Sequence, residues 1–454
     1  MSDPTAAVVA EIDACYPAHH AELTARHASV LDASHFDSLA IYSGTARTRF
    51  RDDQSWPFRA GACYQQWVPC DDHSGSVLLF RAGRKPLLVL NQPRDYWHSA
   101  PATPTGAWTQ HFEIVIADDL EGVRGALPKD LSRCALLGEA DATVSAWGCA
   151  ALNPASILQA LEFARLYKTP YEVDCMRAAN FIAARGHLAA RDAFHDGASE
   201  FGIHLAYLAA TRHTEAELPY ANIIAMNENG ATLHYGRFER ERPQPANSFL
   251  IDAGARCGGY AADITRTWSN GTDGEFAAIV EALDHAQQDL VEALRVGDSY
   301  IDVHENAQLA VAVILEDFGI VDMAPDDMVA AGVSSVFFPH GVGHHLGLQV
   351  HDTGGKLAGP DGTVLPQPEP WPFLRNLRPL EIGNVVTIEP GLYFIDSLLH
   401  RLRETPLGNY VAWDMVDCLR PYGGVRIEDD IWMGPGGARN LSREAFAGLA
   451  EQPA

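Results

Sequence analysis

The sequence predicts an α/β domain followed by a larger α+β domain. Three observations lead to this prediction. The chain has 454 residues, about three times the usual domain length. In residues 1 to about 155, short apolar runs alternate with turns and helical stretches, which favours an α/β sheet. Beyond about residue 160, long amphipathic stretches enclose groups of strands, which is typical of α+β domains.

Apolar runs predict four strands in the amino-terminal part, at 76–80, 86–90, 112–116 and 131–138. A helix is expected from about 153 to 167, and Lys168-Thr169-Pro170 follows it as a break. We therefore expect two domains, 1–160 and 161–454.

A long amphipathic helix is predicted from Tyr171 to Ala198, because proline is favoured in the first turn of a helix and Pro170 stands there. Further helices are expected at 199–211, 274–294 and 299–318. The remainder, to about Trp432, is expected to form strands and loops.

The charge of the chain limits its partners. There are 59 acidic and 33 basic residues, a net charge of -26. Nucleic-acid binding needs a basic face, so we expect neither nucleic acid nor an anionic membrane as a partner. No stretch reaches the roughly 18 apolar residues of a membrane span, and Met1–Ile12 does not resemble a signal peptide. The eight cysteines form no Cys-x-x-Cys pair, and a cytoplasmic location is expected.

Two aspartates flank a predicted hairpin. Asp252 follows an apolar run, Asp263 follows Tyr260-Ala261-Ala262, and Cys257-Gly258-Gly259 supplies turn glycines. A turn centred near Cys257-Gly258 would place the two aspartates opposite each other. Like charges across a hairpin are destabilising, and a bound cation would reverse the sign. The alternative is a pair of surface aspartates on a solvated strand edge.

A histidine cluster and two glutamates extend this pattern. Four histidines fall between residues 340 and 351, interleaved with glycines, and imidazole near neutrality can be a ligand, an acid or a hydrogen-bond donor. Glu389 and Glu428 each follow apolar residues, where glutamate is rarely buried without a partner. That partner could be Arg426 or Arg266. For all the carboxylates together, a metal is the simplest counter-charge.

The order Asp252, Asp263, His344, Glu389, Glu428 and its flanking residues resemble the pita-bread metallopeptidases, most closely the Xaa-Pro dipeptidases (prolidases). The resemblance runs from about Tyr171 to Trp432. Its most specific segments are Asp252-Ala253-Gly254, Asp263-Ile264-Thr265-Arg266-Thr267, Pro339-His340-Gly341-Val342-Gly343-His344 and Ile388-Glu389-Pro390-Gly391-Leu392-Tyr393. Residues 42–58 and 95–98 resemble the amino-terminal domain of bacterial prolidases. This implies a pita-bread catalytic domain and an amino-terminal domain that mediates a homodimer and forms the pocket edge.

The resemblance also implies roles for individual residues. The metal ligands would be Asp252, Asp263, His344, Glu389 and Glu428. His351, seven residues after His344, would act in catalysis with His234 and Glu389. Arg375, fourteen residues before Glu389, would bind the substrate carboxylate. Arg426, His340 and Tyr220 would complete the substrate site.

A hard, oxygen-rich ligand set favours two manganese ions, with cobalt or zinc as alternatives. A metal-bridged hydroxide would then attack the Xaa-Pro bond of a small peptide. The alternatives are an aminopeptidase P that trims longer peptides, a metal-free creatinase-like hydrolase, and a non-catalytic binding protein. Organophosphorus esters are a further substrate class that relatives hydrolyse. One departure from the family is Cys257, which stands where close relatives have a tyrosine expected to support the metal ligands.

Overall fold

A computed structural model of the chain describes residues 4–70, 72–99, 101–271 and 274–450. Two compact units are present. The first comprises residues 1–175, 257–260 and 357–364, and the second 176–256, 261–356 and 365–454. None of the described helices combines the length and the apolar run that a bilayer crossing needs.

The first unit is built on one mixed sheet. Its strands are β1 (Ser38–Tyr42), β2 (Val77–Phe80), β3 (Leu87–Asn91), β4 (Glu113–Ala117), β5 (Cys134–Leu137) and β6 (Ala151–Leu152). Their spatial order is β4-β3-β2-β1-β5-β6. β2 is antiparallel to β1 and β3, and the remaining neighbours are parallel. The four strands predicted from apolar runs are thereby confirmed as β2 to β5.

Five helices accompany this sheet. They are α1 (Pro4–Asp32), α2 (Ala62–Gln65), α3 (Leu120–Ala126), α4 (Ala142–Ser145) and α5 (Ala155–Ala164), with a 3₁₀ turn at Ala107–His111. α5 confirms the helix expected at 153–167. The sequence did not indicate α1, since Pro17 lies inside it and proline ordinarily interrupts a helix.

The first four helices of the second part of the chain agree with the sequence prediction, and the helices after them were not predicted. They are α6 (Pro170–His195), α7 (Glu200–Thr211), α8 (Glu275–Ala293), α9 (Tyr300–Asp317), α10 (Pro325–Ala330), α11 (Ser334–Phe337), α12 (Asp396–Arg403), α13 (Trp413–Leu419) and α14 (Leu441–Ala450), with 3₁₀ turns at Asn227–Ala231, Pro406–Tyr410 and Arg420–Tyr422. The four long predicted helices are confirmed as α6 to α9. The expectation of strands and loops alone as far as Trp432 is wrong, because α10 to α13 lie there.

Small antiparallel sheets carry the rest of this part. The strands are β7 (Ile223–Met226), β8 (Ser248–Asp252), β9 (Arg256–Cys257), β10 (Tyr260–Ala261), β11 (Thr265–Ser269), β12 (Val385–Ile388), β13 (Gly391–Tyr393), β14 (Gly424–Arg426), β15 (Asp429–Gly434) and β16 (Gly437–Asn440). They are ordered β11-β8-β7, β12-β15-β16, β13-β14 and β10-β9. Grouped helices and antiparallel sheets make this an α+β arrangement.

Burial fixes the orientation of β8, the strand that ends at Asp252. Phe249 and Ile251 pack in one apolar cluster with residues of α6 and α7, whereas Leu250 packs in another with Tyr235. Successive side chains of a strand point to opposite faces. Asp252 is therefore directed to the same face as Leu250.

The hairpin register differs from the prediction. Asp252 pairs with Thr265, and the ladder continues with the Ala262 amide bonded to the Ala255 carbonyl. The turn is centred on Gly258 and Gly259, whose φ angles are +57° and +90°. Glycine adopts such angles without steric cost, and a two-residue hairpin turn of this kind requires them. The turn lies one residue later than expected, so the prediction that the two aspartates face each other directly is wrong.

This register makes Gly254 a position where no side chain fits. A Cβ there would lie 2.0 Å from the Ala262 carbonyl oxygen and 3.0 Å from the Tyr220 ring. We expect Gly254→Ala to lower the free energy of unfolding by about 1–3 kcal/mol through overpacking, as measured by denaturant unfolding. The control is Gly236→Ala, since a Cβ at Gly236 meets nothing within 4 Å. Equal stability of the two variants would contradict this account of the hairpin.

Candidate metal centre

Strand ends and the loops beside them position the acidic side chains. Asp252 is the last residue of β8, Glu389 follows β12, and Glu428 lies between β14 and β15. Asp263 lies between β10 and β11. Each of the four carboxylates thus lies at or close to the end of a different strand.

His344 lies in a loop that is tied to β12. Its amide donates to Thr387 Oγ1 at 3.1 Å, and the Thr387 amide donates to the His344 carbonyl at 2.9 Å. The ring Nδ1 lies 3.0 Å from the His345 carbonyl oxygen. That bond leaves Nε2 as the ring atom directed at the carboxylates.

Asp263, His344 and Glu428 form the centre of the cluster. One ligand atom from each lies within 4.8 Å of the others, and all three side chains are buried. His344 Nε2 is 3.5 Å from Asp263 Oδ2 and 3.7 Å from Glu389 Oε1. These donors, mainly oxygen with one imidazole nitrogen, could hold a divalent cation.

Asp252 lies at the edge of this cluster, oriented by Arg426. Arg426 Nη2 donates to Asp252 Oδ2 at 2.5 Å. The second oxygen, Asp252 Oδ1, is buried and has no hydrogen-bond partner within the described residues. A buried acceptor of this kind is costly unless a ligand satisfies it. The donor set therefore fits a bound cation.

Burial and mutual repulsion favour the protonated forms of three of the four carboxylates. Burial raises the pKa of Glu389 to about 7 and that of Glu428 well above its usual range. Burial also raises the pKa of Asp252, against the opposing charge of Arg426. For His344, burial lowers the pKa, but the hydrogen bond to Asp263 and the charge of Glu389 outweigh it and raise the pKa to about 9.

Asp263 is the exception among the acids. Burial would raise its pKa, but the bond and charge of His344 and a bond from Tyr220 hold it below its usual range. The Tyr220 hydroxyl donates to Asp263 Oδ1 at 2.5 Å. Tyr220, expected from the resemblance to contact substrate, thus contacts a carboxylate of the cluster. A tyrosine hydroxyl therefore contacts the acids from position 220, whereas position 257, where close relatives have a tyrosine, carries a cysteine.

Several supporting residues escaped the sequence reasoning. Thr265 Oγ1 donates to Glu428 Oε2 at 2.6 Å, and Tyr393 accepts a bond from Arg426 Nη1 at 3.0 Å. Asp430 Oδ2 accepts the Asp263 amide at 3.1 Å and Asn180 Nδ2 at 2.8 Å. Thr265 and Tyr393 stand inside the quoted motif segments, which was the available signal. Asn180 lies on a helix far away in the sequence, and no local pattern marks it.

The ion pairs expected for the two glutamates are only partly present. Arg426 Nε lies 3.9 Å from Glu428 Oε2, but its closer partner is Asp252. Arg266 pairs with Asp429 at 2.5 Å instead. Arg426 acts on Glu389 through its charge, and the ion-pair partners of Glu389 among the described residues are His340 and His344.

Three further histidines surround the cluster. The His351 ring packs edge-on against His344, with centroids 4.5 Å apart, and burial and the charge of His344 lower its pKa to about 4. His340 Nδ1 lies 3.7 Å from Glu389 Oε2, and its Nε2 is 2.9 Å from the Tyr393 hydroxyl. Burial lowers the pKa of His340 to about 3. His234 is exposed, and its charge contributes to the lowered pKa of both His340 and His351.

Arg375 is exposed at the periphery. Its charge contributes to the lowered pKa of His351. Across the described ranges of the chain, no acidic side chain forms an ion pair with it. The guanidinium is thus available to a ligand.

Comparison with known proteins identifies the family. Residues 14–163 match the family model described as Xaa-Pro dipeptidase, N-terminal domain. Residues 174–435, more than half of the chain, match the model described as Metallopeptidase family M24. The chain belongs to metallopeptidase family M24.

Curated relatives of this M24 protein align over nearly its whole length. The Xaa-Pro dipeptidase of Xanthomonas campestris pv. campestris (strain B100) is 45% identical and covers 98% of the chain and 100% of the relative. That of Stenotrophomonas maltophilia (strain R551-3) is 44% identical, with 96% and 98% covered. That of Pseudoalteromonas atlantica is 43% identical, with 94% and 98% covered.

Solved structures agree in fold. Aminopeptidase P from E. coli with the inhibitor Pro-Leu superposes with a TM-score of 0.71 at 23% identity, covering 95% of this chain and 99% of that one. Proline aminopeptidase P II from Yersinia pestis gives 0.70 at 24% identity, covering 95% and 100%. The predicted fold class is confirmed, an amino-terminal α/β domain with a pita-bread catalytic domain. The protein is a metallopeptidase, and its family uses divalent metals.

The hydroxyl of Tyr220 generates a first prediction for this site. Groups that bond to metal ligands typically change metal affinity about 10- to 100-fold when removed. We expect Tyr220→Phe to weaken divalent-metal binding by roughly that factor, measured by titration against a competing chelator. Tyr207→Phe is the matched control, because the buried Tyr207 hydroxyl has no hydrogen-bond partner among the described residues. Equal affinities of the two variants would exclude a role for the Tyr220 bond.

The raised pKa values of Glu389 and His344 lead to a second prediction for this site. Without metal, the folded protein retains protons on Glu389 up to pH about 7 and on His344 up to about 9, whereas the unfolded chain loses them near 4.5 and 6.5. These two groups therefore contribute a stability to the metal-free protein that declines as pH rises, for Glu389 between about pH 4.5 and 7 and for His344 between about 6.5 and 9, by about 1.4 kcal/mol per pH unit for each proton. A bound cation favours the deprotonated forms and removes this decline.

Thermal unfolding of metal-loaded and chelator-treated protein between pH 5 and 9 measures the effect. The stabilisation by metal should grow with pH. The difference in stability between the metal-free wild type and metal-free Glu389→Gln should change in favour of the variant as pH rises from about 4.5 to 7. A metal contribution that is constant across this range would contradict the charge balance described for the cluster.

Proposed function

We propose that this protein is an Xaa-Pro dipeptidase that hydrolyses the bond before proline in dipeptides. The observation that carries the proposal is the buried cluster of Asp263, His344 and Glu428, with the half-buried Glu389 and Asp252 beside it. Asp252 Oδ1 lacks a hydrogen-bond partner among the described residues. Relatives bearing that name are 43–45% identical over nearly the whole chain. A metal-free hydrolase or a binding protein would have no use for uncompensated buried acids.

The proposed ligands of two divalent ions are Asp252, Asp263, His344, Glu389 and Glu428. Hard oxygen donors with one nitrogen favour manganese, with cobalt or zinc able to substitute. When bound, such ions polarise the scissile carbonyl and activate a water molecule near neutrality.

Glu389 is the proposed proton carrier. A proline amide nitrogen has no hydrogen and must acquire one as the leaving group. As a proposed ligand, Glu389 would lie beside the activated water, where a carboxylate can take a proton from that water and pass it on. Thr387 Oγ1 donates to Glu389 Oε1 at 3.4 Å and orients the carboxylate.

The neutral imidazole of His351 is the proposed donor to the developing oxyanion. Burial lowers its pKa to about 4, so near neutrality it offers one ring N–H. A donor that is held in place before the reaction is effective because it needs no reorganisation. His234 is proposed to share this role. Arg426, His340 and Tyr220 would shape the substrate pocket through their contacts with the cluster.

Arg375 is proposed to bind the carboxylate of the dipeptide. Its unpaired guanidinium offers a planar fork that matches a carboxylate. A carboxylate on the proline ring itself is present only when proline is the last residue of the peptide. An arginine that binds this carboxylate therefore favours a dipeptidase over an aminopeptidase P that trims longer peptides. The likeness to solved aminopeptidase P structures, at 23% identity, concerns the fold alone.

We also propose a homodimer formed through the first unit. Aromatic side chains of this unit are widely exposed, including Trp56 at 58%, Tyr96 at 87% and Trp97 at 74%. Exposed apolar side chains in neighbouring segments are typical of interaction sites. A reducing, cytoplasmic location is proposed because all eight cysteines are free thiols.

Metal content and peptide turnover test the function together. The manganese-loaded protein should hydrolyse Ala-Pro faster than a tripeptide that begins Ala-Pro. Arg375→Ala should lower kcat/KM for Ala-Pro by roughly ten- to a hundred-fold, since a charge-assisted hydrogen bond contributes about 1.5–3 kcal/mol. It should leave metal content unchanged.

The control substrate is the amide of Ala-Pro, which lacks the carboxylate and should not respond to Arg375→Ala. Arg375→Lys should restore part of the activity, because an ammonium group cannot reproduce the fork. Faster turnover of the tripeptide than of Ala-Pro would instead indicate an aminopeptidase. Wild-type turnover of Ala-Pro by Arg375→Ala would exclude Arg375 as the anchor.

A further inference from the structure

A fully buried carboxylate lies outside the proposed metal cluster. Glu200 is 0% exposed and occupies the first residue of α7, directly after the capping residue Ser199. The amino end of a helix favours a negative charge. The proposed mechanism makes no use of this residue, although burying a carboxylate is costly unless it is fully hydrogen-bonded.

Four donors satisfy Glu200, and all come from one later segment. Oε1 accepts the Met226 amide at 2.8 Å and Asn229 Nδ2 at 2.9 Å. Oε2 accepts the Tyr235 hydroxyl at 2.8 Å and the Glu239 amide at 2.9 Å. One side chain therefore fixes the start, the middle and the end of the segment 226–239.

His234 lies within this segment. Its side chain is exposed, and within the described part of the chain its imidazole forms no hydrogen bond. Local backbone bonds, Thr232 amide to Asn229 carbonyl at 3.0 Å and Tyr235 amide to Thr232 carbonyl at 3.1 Å, shape the loop around it. The position of the imidazole thus depends on the loop backbone, which Glu200 holds.

The 226–239 loop lies against the strands that carry residues of the cluster. Tyr235, the neighbour of His234, packs with Leu250, which shares a face of β8 with Asp252. A Cβ at Gly230 would lie 3.7 Å from the Gly424 amide nitrogen, at the start of β14, which ends at Arg426. A hydrogen-bond donor to an oxyanion must be held in place before the reaction to be effective, and small displacements of such groups cost large factors in rate.

We propose that Glu200 is a positioning residue that holds the 226–239 loop so that His234 is presented to the substrate. The inference rests on the proposed function, in which His234 acts on the reacting peptide bond. It assigns to Glu200 an effect on catalysis through His234, beyond the stability that any satisfied buried carboxylate contributes.

A double-mutant cycle tests this. Glu200→Gln keeps the shape but replaces one acceptor oxygen with an NH₂ group, which faces donors. We expect Glu200→Gln to lower kcat for Ala-Pro roughly tenfold with a smaller change in KM. In the His234→Ala background the same change should cost less than about twofold, because residues that act through one another are not additive. If the effects of Glu200→Gln and His234→Ala on kcat multiply in full, the proposal is wrong.

Two further variants support the cycle. Tyr235→Phe removes one of the four donors, and its smaller loss should also vanish in the His234→Ala background; it replaces Glu200→Gln if that variant does not fold. Glu172→Gln is the matched control, a buried carboxylate of the first unit that accepts the Tyr260 hydroxyl at 2.7 Å. The factor by which Glu172→Gln lowers kcat, whatever its size, should multiply with the factor for His234→Ala.

Hydrogen–deuterium exchange separates this proposal from the proposed function. Amides of residues 227–239 should exchange faster in Glu200→Gln than in the wild type, while metal content stays the same. If wild-type protein fails to hydrolyse Ala-Pro, the dipeptidase function is wrong and the exchange result still decides whether Glu200 fixes the loop. Unchanged exchange in this segment would overturn the positioning role.

Discussion

The mutual repulsion of four carboxylates is the constraint on which the second unit depends. Asp252, Asp263, Glu389 and Glu428 converge in a region where burial favours their neutral forms. Arg426 and His344 bring two positive charges to them, which is insufficient for four acids. This deficit agrees with the use of divalent metals in the family. Hydroxyls from Thr265 and Tyr220 donate to oxygens of Glu428 and Asp263 and orient these carboxylates, whose charge bound cations would balance.

The sequence predicted the elements that local chemistry determines. Apolar runs located β2 to β5, and amphipathic periodicity located α6 to α9, because each pattern reflects a single buried face. The acids and His344 were identifiable because burying polar residues among apolar ones is costly unless a partner compensates them. The short helices α10 to α13 and the proline-containing α1 were missed, since tertiary packing stabilises such elements more than their own sequence does.

Features that depend on distant contacts could not be predicted in this way. The hairpin register depended on which two residues adopt positive φ, and Cys257-Gly258-Gly259 allowed two choices. The bond from Asn180 to Asp430 and the four bonds to Glu200 join residues that only the folded chain brings together. The sequence left Arg266 open as an alternative partner of the glutamates, and it pairs with Asp429 instead. Asp429 directly follows Glu428, and a shift of one residue in a strand reverses the side-chain direction.

The distribution of the proposed ligand residues along the chain has a consequence for the topology of the folded protein. Asp252 and Glu428 are 176 residues apart (428 − 252), and the other three cluster residues lie at intervals between them. A cation held by all of them closes several long loops at once, as a covalent cross-link would, and the entropy of loop closure grows only slowly with loop length. The ions would tie distant parts of one chain together, so a chain cut in an exposed loop between two ligands would stay associated while they remained bound.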